Sequence, residues 1–211
     1  MILFISFQNG DFQLNNCPPG YKREVLNVIN YFRKPYYVQD LQLNPYLSRD
    51  AQNIAKFNAE NNIVGHEIHP LYPKVGSIQK RRQDSRNDGF IWEFNPQQLI
   101  DDIVSSSGDY EWYDQEPPSD NVDQFHDYAQ LIWKSSRRLG VGCSIVQIPN
   151  GNDSWVKNYN LVLLFDPPGA VPCHWRQNFL PNCECDNWIW LRNASLDGTL
   201  KPSPECIVSF V

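Results

Sequence analysis

The chain has 211 residues, enough for one sizeable hydrophobic core with an extension. Hydrophobic residues make up 41% and aromatics 13%, a globular composition rather than a disordered one. The net charge of −6 argues against a nucleic-acid partner, and no stretch approaches the ~18 apolar residues of a membrane-spanning helix.

Met1-Ile-Leu-Phe-Ile-Ser-Phe7 is apolar but lacks a basic leader and a small-residue cleavage site. It reads as a fragment of a signal peptide or as a strand. Pro18-Pro19-Gly20 punctuates the chain, and the stripe Val25, Leu26, Ile29, Phe32 predicts a helix over 21–34, ended by Pro35. A second helix follows, with Ser48 as its N-cap and Ala51, Ile54, Ala55 and Asn58 on one side. Residues 70–89 hold Pro70, Pro73, Gly76 and the basic cluster Lys80-Arg81-Arg82 with Arg86, and read as an inserted surface loop. Its charges are those of a solvated loop, a processing site or a contact for an anionic surface. Pro96 is placed to open a helix whose apolar face is Leu99, Ile100, Ile103 and Val104.

Residues 110–120 form a loop rich in aromatics and proline, and Ser119 or Asp120 is placed to cap the next helix, which runs through Trp133. Tyr128, Leu131, Ile132 and Trp133 share its apolar face, and Gly140 and Gly142 break it. Ile145, Gln147 and Ile148 begin an extended run, and Asn160–Phe165 reads as a buried strand.

The six cysteines are Cys17, Cys143, Cys173, Cys183, Cys185 and Cys206. An even count clustered toward the C-terminus points to disulfides and an oxidising compartment, with the pairing left open. The one-residue spacing of Cys183-Glu-Cys185 is too short for a zinc knuckle. Asn152-Asp-Ser154 and Asn193-Ala-Ser195 are glycosylation sequons, consistent with an extracellular, secreted protein.

Several segments together resemble the CAP superfamily (cysteine-rich secretory proteins, antigen 5, pathogenesis-related 1), most closely a divergent venom-allergen-like protein. In the signature segment, Tyr128, Gln130, Leu131, Ile132, Trp133, Lys134, Ser136 and Val141-Gly142-Cys143 match. Asn30 and Arg33 match the first-helix motif, and Leu43-Asn-Pro-Tyr-Leu47 and Ala51-Gln52 match the entry to the second helix. Asp166-Pro-Pro-Gly169 resembles the second family signature, with Leu163 in place of its cysteine and Ala170 in place of its asparagine. The resemblance implies an α+β fold, an α-β-α sandwich with a small antiparallel sheet over residues 18–170. An N-terminal segment (1–17) precedes it, and a cysteine-containing, hinge-like extension (171–211) follows.

The resemblance also implies a cleft built from two histidines and two glutamates. Here those positions hold His66, Glu93, Ser106 and Asp127, with His126 beside the last. Two imidazoles with orienting carboxylates hold zinc well; one histidine and two carboxylates are a degenerate set, so no metal and no cofactor are expected, the alternative being zinc held by His66, Glu93 and Asp127 through mixed ligands. One residue along a helix turns a side chain by about 100°, which should aim His126 away from the cleft. In the family, the loop around Tyr110, Trp112 and Tyr113 carries aromatics linked to sterol binding. The sequence holds no nucleophile elbow and no His-Glu-x-x-His motif, so no catalytic residues are expected. The expectation is a secreted, non-enzymatic protein that binds a sterol, another lipid or a host or cell-surface protein. The alternatives are a pure protein-interaction ligand using the 74–86 segment as its surface, and a metal-dependent hydrolase.

Overall fold

The computed structural model describes residues 16–61, 63, 76–85, 92, 94–106, 122–149, 155–170 and 178. In chain order they form helix α1 (Tyr21–Arg33) with a 3-10 turn (Lys34–Tyr36), strand β1 (Gln42–Leu43), helix α2 (Pro45–Glu60) and strand β2 (Gly76–Asp84). Helices α3 (Pro96–Ser106) and α4 (Val122–Ile132) follow, then strands β3 (Arg138–Pro149) and β4 (Trp155–Asp166). The strands make one sheet in the order β1-β3-β4-β2. β3 pairs antiparallel with β4, and β4 with β2, whereas the short β1 runs parallel to β3.

Register divides the sheet into two faces. Leu161, Leu163 and Phe165 of β4 stand opposite Cys143, Val141 and Leu139 of β3, and opposed residues share a face. That face packs on α1, α3 and α4 through Val25, Ile29, Leu99, Ile100, Ile103, Leu131 and Ile132. The alternate residues Val162 and Leu164 pack on Ala51, Ile54 and Ala55 of α2. The result is the expected α-β-α sandwich. The stripe predicted for α1 is confirmed, with Val25 and Ile29 fully buried.

Several local expectations need correction. Gly140 and Gly142 do not end α4, which stops at Ile132; they lie inside β3. A Cβ at Gly140 would collide with the backbone of Leu47, and one at Gly142 with that of Ala51. The glycines let α2 lie directly on the sheet. Ser48 is not the cap of α2: Asn44 is, its side chain accepting from the amides of Tyr46 and Leu47, with Pro45 at the first helical position.

Ser48 instead sits one turn inside, where its Oγ accepts from the amide of Val141 at 3.3 Å. Gln52, one turn further, donates to the carbonyl of Cys143 at 2.6 Å and accepts from its amide at 3.1 Å. β1 covers only Arg138 and Leu139 of this edge of β3. Beyond it, two side chains of α2 stand in for a neighbouring strand and satisfy backbone groups that would otherwise be orphaned.

The segment read as an inserted loop contains β2, paired along its whole length with β4 from Gly76↔Phe165 to Asp84↔Lys157. Arg81 and Arg82 therefore belong to a sheet strand, not to a solvated loop. Pairing with β4 overrides the weak strand propensity of so polar a segment. β3 and β4 also begin earlier than their apolar runs, at Arg138 and Trp155. In α3, Leu99, Ile100 and Ile103 are buried as expected, but Val104 is exposed; Asn95 caps the helix by accepting from the amides of Gln97 and Gln98.

Cys17 and Cys143 form a disulfide, which ties the segment before α1 to β3. The other four cysteines, both sequons, residues 1–15 of the N-terminal segment, the 110–120 loop and its proposed helix caps lie outside the described residues. Of the C-terminal extension, Asn178 is described: it is buried, and its Oδ1 accepts from the amide of Ser135 at 3.0 Å.

Candidate functional site

The matched motif residues meet around the end of α4. Arg33 is fully buried, and its guanidinium donates to the carbonyls of Leu131 (2.5 Å), Trp133 (3.3 Å) and Ser136 (3.3 Å) and twice to Gln39. The last carbonyls of a helix lack intrahelical donors and form its negative pole, so a cation there is doubly favoured. Burial, then the nearby Arg137, lowers the Arg33 pKa to about 10, and it stays charged at neutral pH. Asn30, one turn earlier, pairs with both backbone groups of Leu41 at 3.0 and 2.8 Å.

Gln130 forms a second lock. Its Oε1 accepts from the amide of Gly169 at 2.6 Å, and its Nε2 donates to Ser136 Oγ at 3.1 Å. Ser136 Oγ in turn donates to the carbonyl of Pro167 at 2.8 Å. Gly76 and Gly169 both press on Gln130, where a Cβ would collide with its amide. The signature thus fastens α4, the following turn, the start of β2 and the Pro167-Pro168-Gly169 segment into one body. All of these contacts are structural.

The α4 position that the resemblance assigns to the cleft holds Asp127, which is buried. Its Oδ2 lies 2.6 Å from Lys80 Nζ, with 6% of the carboxylate side chain and 31% of the lysine side chain exposed. Lys80 reaches it because Lys80 and Ile78 share the helix-covered face of β2, opposite Leu161 and Leu163. His126, the next residue back on α4, has its Nδ1 3.8 Å from Asp127 Oδ1.

His66, Glu93, Tyr110, Trp112 and Tyr113 lie outside the described residues. Ser106 is the last residue of α3, and its side chain lies outside them too. Trp92 and Phe94, which flank Glu93, are described. The Trp92 ring packs against Phe94 (5.2 Å), Tyr21 (5.4 Å) and Tyr159 (6.2 Å). Among the described residues no three His, Cys, Asp or Glu side chains come together as a metal-binding group.

Sequence reasoning missed Lys80. The signal was present: in a strand of period two, a lysine two residues after Ile78 falls on the buried face and needs a counter-charge. Charge clustering with Arg81 and Arg82 hid it.

Two phenols border the same layer. Burial pushes the Tyr21 hydroxyl up to about 12, opposed by the neighbouring Trp92 and assisted by the Glu24 charge. Tyr128, on α4 beside Asp127, is raised still further by burial and by its 2.7 Å hydrogen bond with Tyr36. Neither is a ready base near neutral pH.

The sequence model of the cysteine-rich secretory protein family matches residues 26–162, and the chain belongs to this family. The match spans every described helix and strand from β1 to β3, most of α1 and the first two thirds of β4. A structure of MpPR-1i is similar at 16% identity and a TM-score of 0.48, covering 72% of this chain and 90% of that one. BmVAL-1 is similar at 15% and 0.48, covering 74% and 80%. NaASP2 with Zn2+ is similar at 14% and 0.45, covering 73% and 83%. No curated protein matches the sequence.

Proposed function

We propose that this chain is an extracellular, non-catalytic binding protein, built on the cysteine-rich secretory fold and acting through its surface and its aromatic loop. The observation that carries this reading is the engagement of its motif residues. Arg33, Gln52, Gln130 and Ser136 all direct their polar atoms into the fold. The cleft carboxylate Asp127 is neutralised by Lys80. General acid–base or nucleophilic chemistry needs a group within reach of substrate and poised to exchange a proton; these groups are held elsewhere.

The Cys17–Cys143 disulfide supports an oxidising compartment. Asn152 and Asn193 would carry glycans there. Among the described residues no helix is long and apolar enough to cross a membrane.

The ligand class is a sterol or other lipid taken by Tyr110, Trp112 and Tyr113, whose flat rings suit a rigid apolar ligand. The test is a titration of the secreted protein with labelled sterol, beside the Tyr110→Ala, Trp112→Ala, Tyr113→Ala triple variant. Saturable binding lost in the variant supports the reading. Binding that is absent, or equal in both proteins, refutes the lipid part.

A protein partner is the second reading, favoured by Tyr31, Tyr37 and Tyr46, which stand more than half exposed on the two helical layers. Its surface cannot be tested by excising residues 74–86, because that cut removes β2 from the sheet. Substituting the exposed tyrosines singly tests it without unfolding the domain.

A further inference from the structure

We infer that Lys80 is the resident cation of the family cleft, and that it excludes a divalent metal from Asp127. The inference goes beyond the lipid reading and does not depend on it.

The argument starts from charge. A carboxylate as buried as that of Asp127 requires a positive partner. A metal ion is one solution and an ammonium is another, and the two compete for the same oxygen lone pairs. Here Lys80 Nζ lies 2.6 Å from Oδ2, the distance of a short charge-assisted hydrogen bond. The second oxygen, Oδ1, faces His126 Nδ1 at 3.8 Å. Two donors that share a zinc ion at bond lengths of about 2.1 Å lie roughly 3.4 Å apart. His126 and Asp127 are therefore spaced much as two ligands of one ion would be, with the lysine ammonium on the same carboxylate.

Two features fix the ammonium in place. The first is the register of β2: Lys80 is opposite Leu161, on the face covered by α1, α3 and α4, so its stem runs along apolar surface toward α4. The second is the lock at Gln130, three residues along α4 from Asp127, against which Gly76 at the start of β2 packs. Strand and helix are held together at both points, which keeps the ammonium within reach of the carboxylate.

Lys80 is also covalently part of the chain. Its effective concentration at Asp127 exceeds that of any free ion, and intramolecular delivery gives it the advantage of a tethered ligand. A metal would have to displace the ammonium, strip its own water and leave a lysine charge beside it. The Asp127 carboxylate is therefore held by the chain's own cation rather than by a metal ion.

The test is zinc binding by the full-length chain, read by competition with a chromophoric chelator and by the shift in melting temperature. Four proteins are compared: the natural chain, Lys80→Met, Lys80→His, and Lys80→His combined with Asp127→Asn. The natural chain is expected to retain less than about a tenth of an equivalent, because the Lys80 ammonium already occupies the Asp127 carboxylate. Lys80→Met frees the carboxylate, and zinc affinity is expected to rise at least about tenfold, with a melting temperature that now responds to zinc. Lys80→His keeps a nitrogen donor against Asp127 and adds an imidazole, so it covers the case in which Lys80→Met fails to fold. It is expected to take about one equivalent, lost when Asp127→Asn is added.

Stoichiometric zinc in the natural chain, removed by Asp127→Asn, would overturn the inference. So would folded Lys80 variants that stay as inert to zinc as the natural chain, since the lysine would then not be what excludes the metal. Neither outcome bears on sterol binding, which is read by the separate loop variant.

Discussion

Replacing Arg33 by methionine tests the central lock of the fold. The substitution keeps an unbranched stem of similar bulk in the core and removes the charge and all five donors. Three of the four carbonyls it serves, those of Leu131, Trp133 and Ser136, belong to the closed end of α4, whereas Gln39 is exposed and can turn to water. A buried acceptor that loses its donor costs on the order of 1–3 kcal/mol. Removing a guanidinium from a buried site returns part of that, because the cation was itself desolvated there. The net expectation is a loss of about 3 kcal/mol, which for a chain of this size lowers the melting temperature by about 10 °C. Arg33→Lys keeps the charge but has one compact donor head in place of a planar fork, and should lose about 2 kcal/mol. Urea denaturation followed by circular dichroism measures both. A methionine variant within about 0.5 kcal/mol of the natural protein would refute the view that Arg33 holds the end of α4.

Other expectations follow from the same geometry. Replacing Cys17 and Cys143 together by serine opens a loop whose ends lie 126 residues apart in sequence, and the urea midpoint should fall by an amount equal to about 4 kcal/mol. Gln52→Ala removes the side chain that completes β3, and should cost about 2 kcal/mol, with faster amide hydrogen exchange at Cys143 than at the β1-paired Leu139. In an alkaline titration followed by tyrosinate absorbance, Tyr21 and Tyr128 should ionise after the exposed phenols. The folded pKa of Tyr21 is raised to about 12 from 10.0, so its contribution is intact below pH 10.0 and is lost as the pH rises through 12. Titration of all ten tyrosines together near the ordinary value, with the fold intact, would contradict that burial.

How far the sequence foretold these structures depended on whether a residue's role was local. The apolar stripes of α1 and α3 were legible because a period of 3.6 is written in neighbouring residues. The fold class was legible because the motif residues form a set. What each motif residue does was not, since Arg33 serves carbonyls about a hundred positions away and Gln52 serves a strand on the far side of the chain. Gly140 and Gly142 read as helix breakers because glycine has two meanings, freedom of φ and absence of Cβ, and only contact with α2 selects the second. Ser48 was misplaced for a related reason: a hydroxyl suited to capping is equally suited to accept from a strand edge, and Asn44 already capped the helix.

β2 is the instructive case, because its misreading concealed the chemistry of the cleft. A run such as Gln79-Lys80-Arg81-Arg82 has the composition of a loop, and propensity alone leaves it there. The chain makes it a strand because β4, buried on both faces, would otherwise expose an edge. Once it is a strand, alternation forces Lys80 inward and Arg81 to the other face, where its Nε donates to Asn158 at 2.5 Å. The inward lysine then demands an anion, and Asp127 supplies it at 2.6 Å. The aspartate that looked like a lost histidine and the lysine that looked like loop solvation are thus one feature. Each explains why the other is tolerated in a buried layer: the carboxylate and the ammonium lie 2.6 Å apart and neutralise one another.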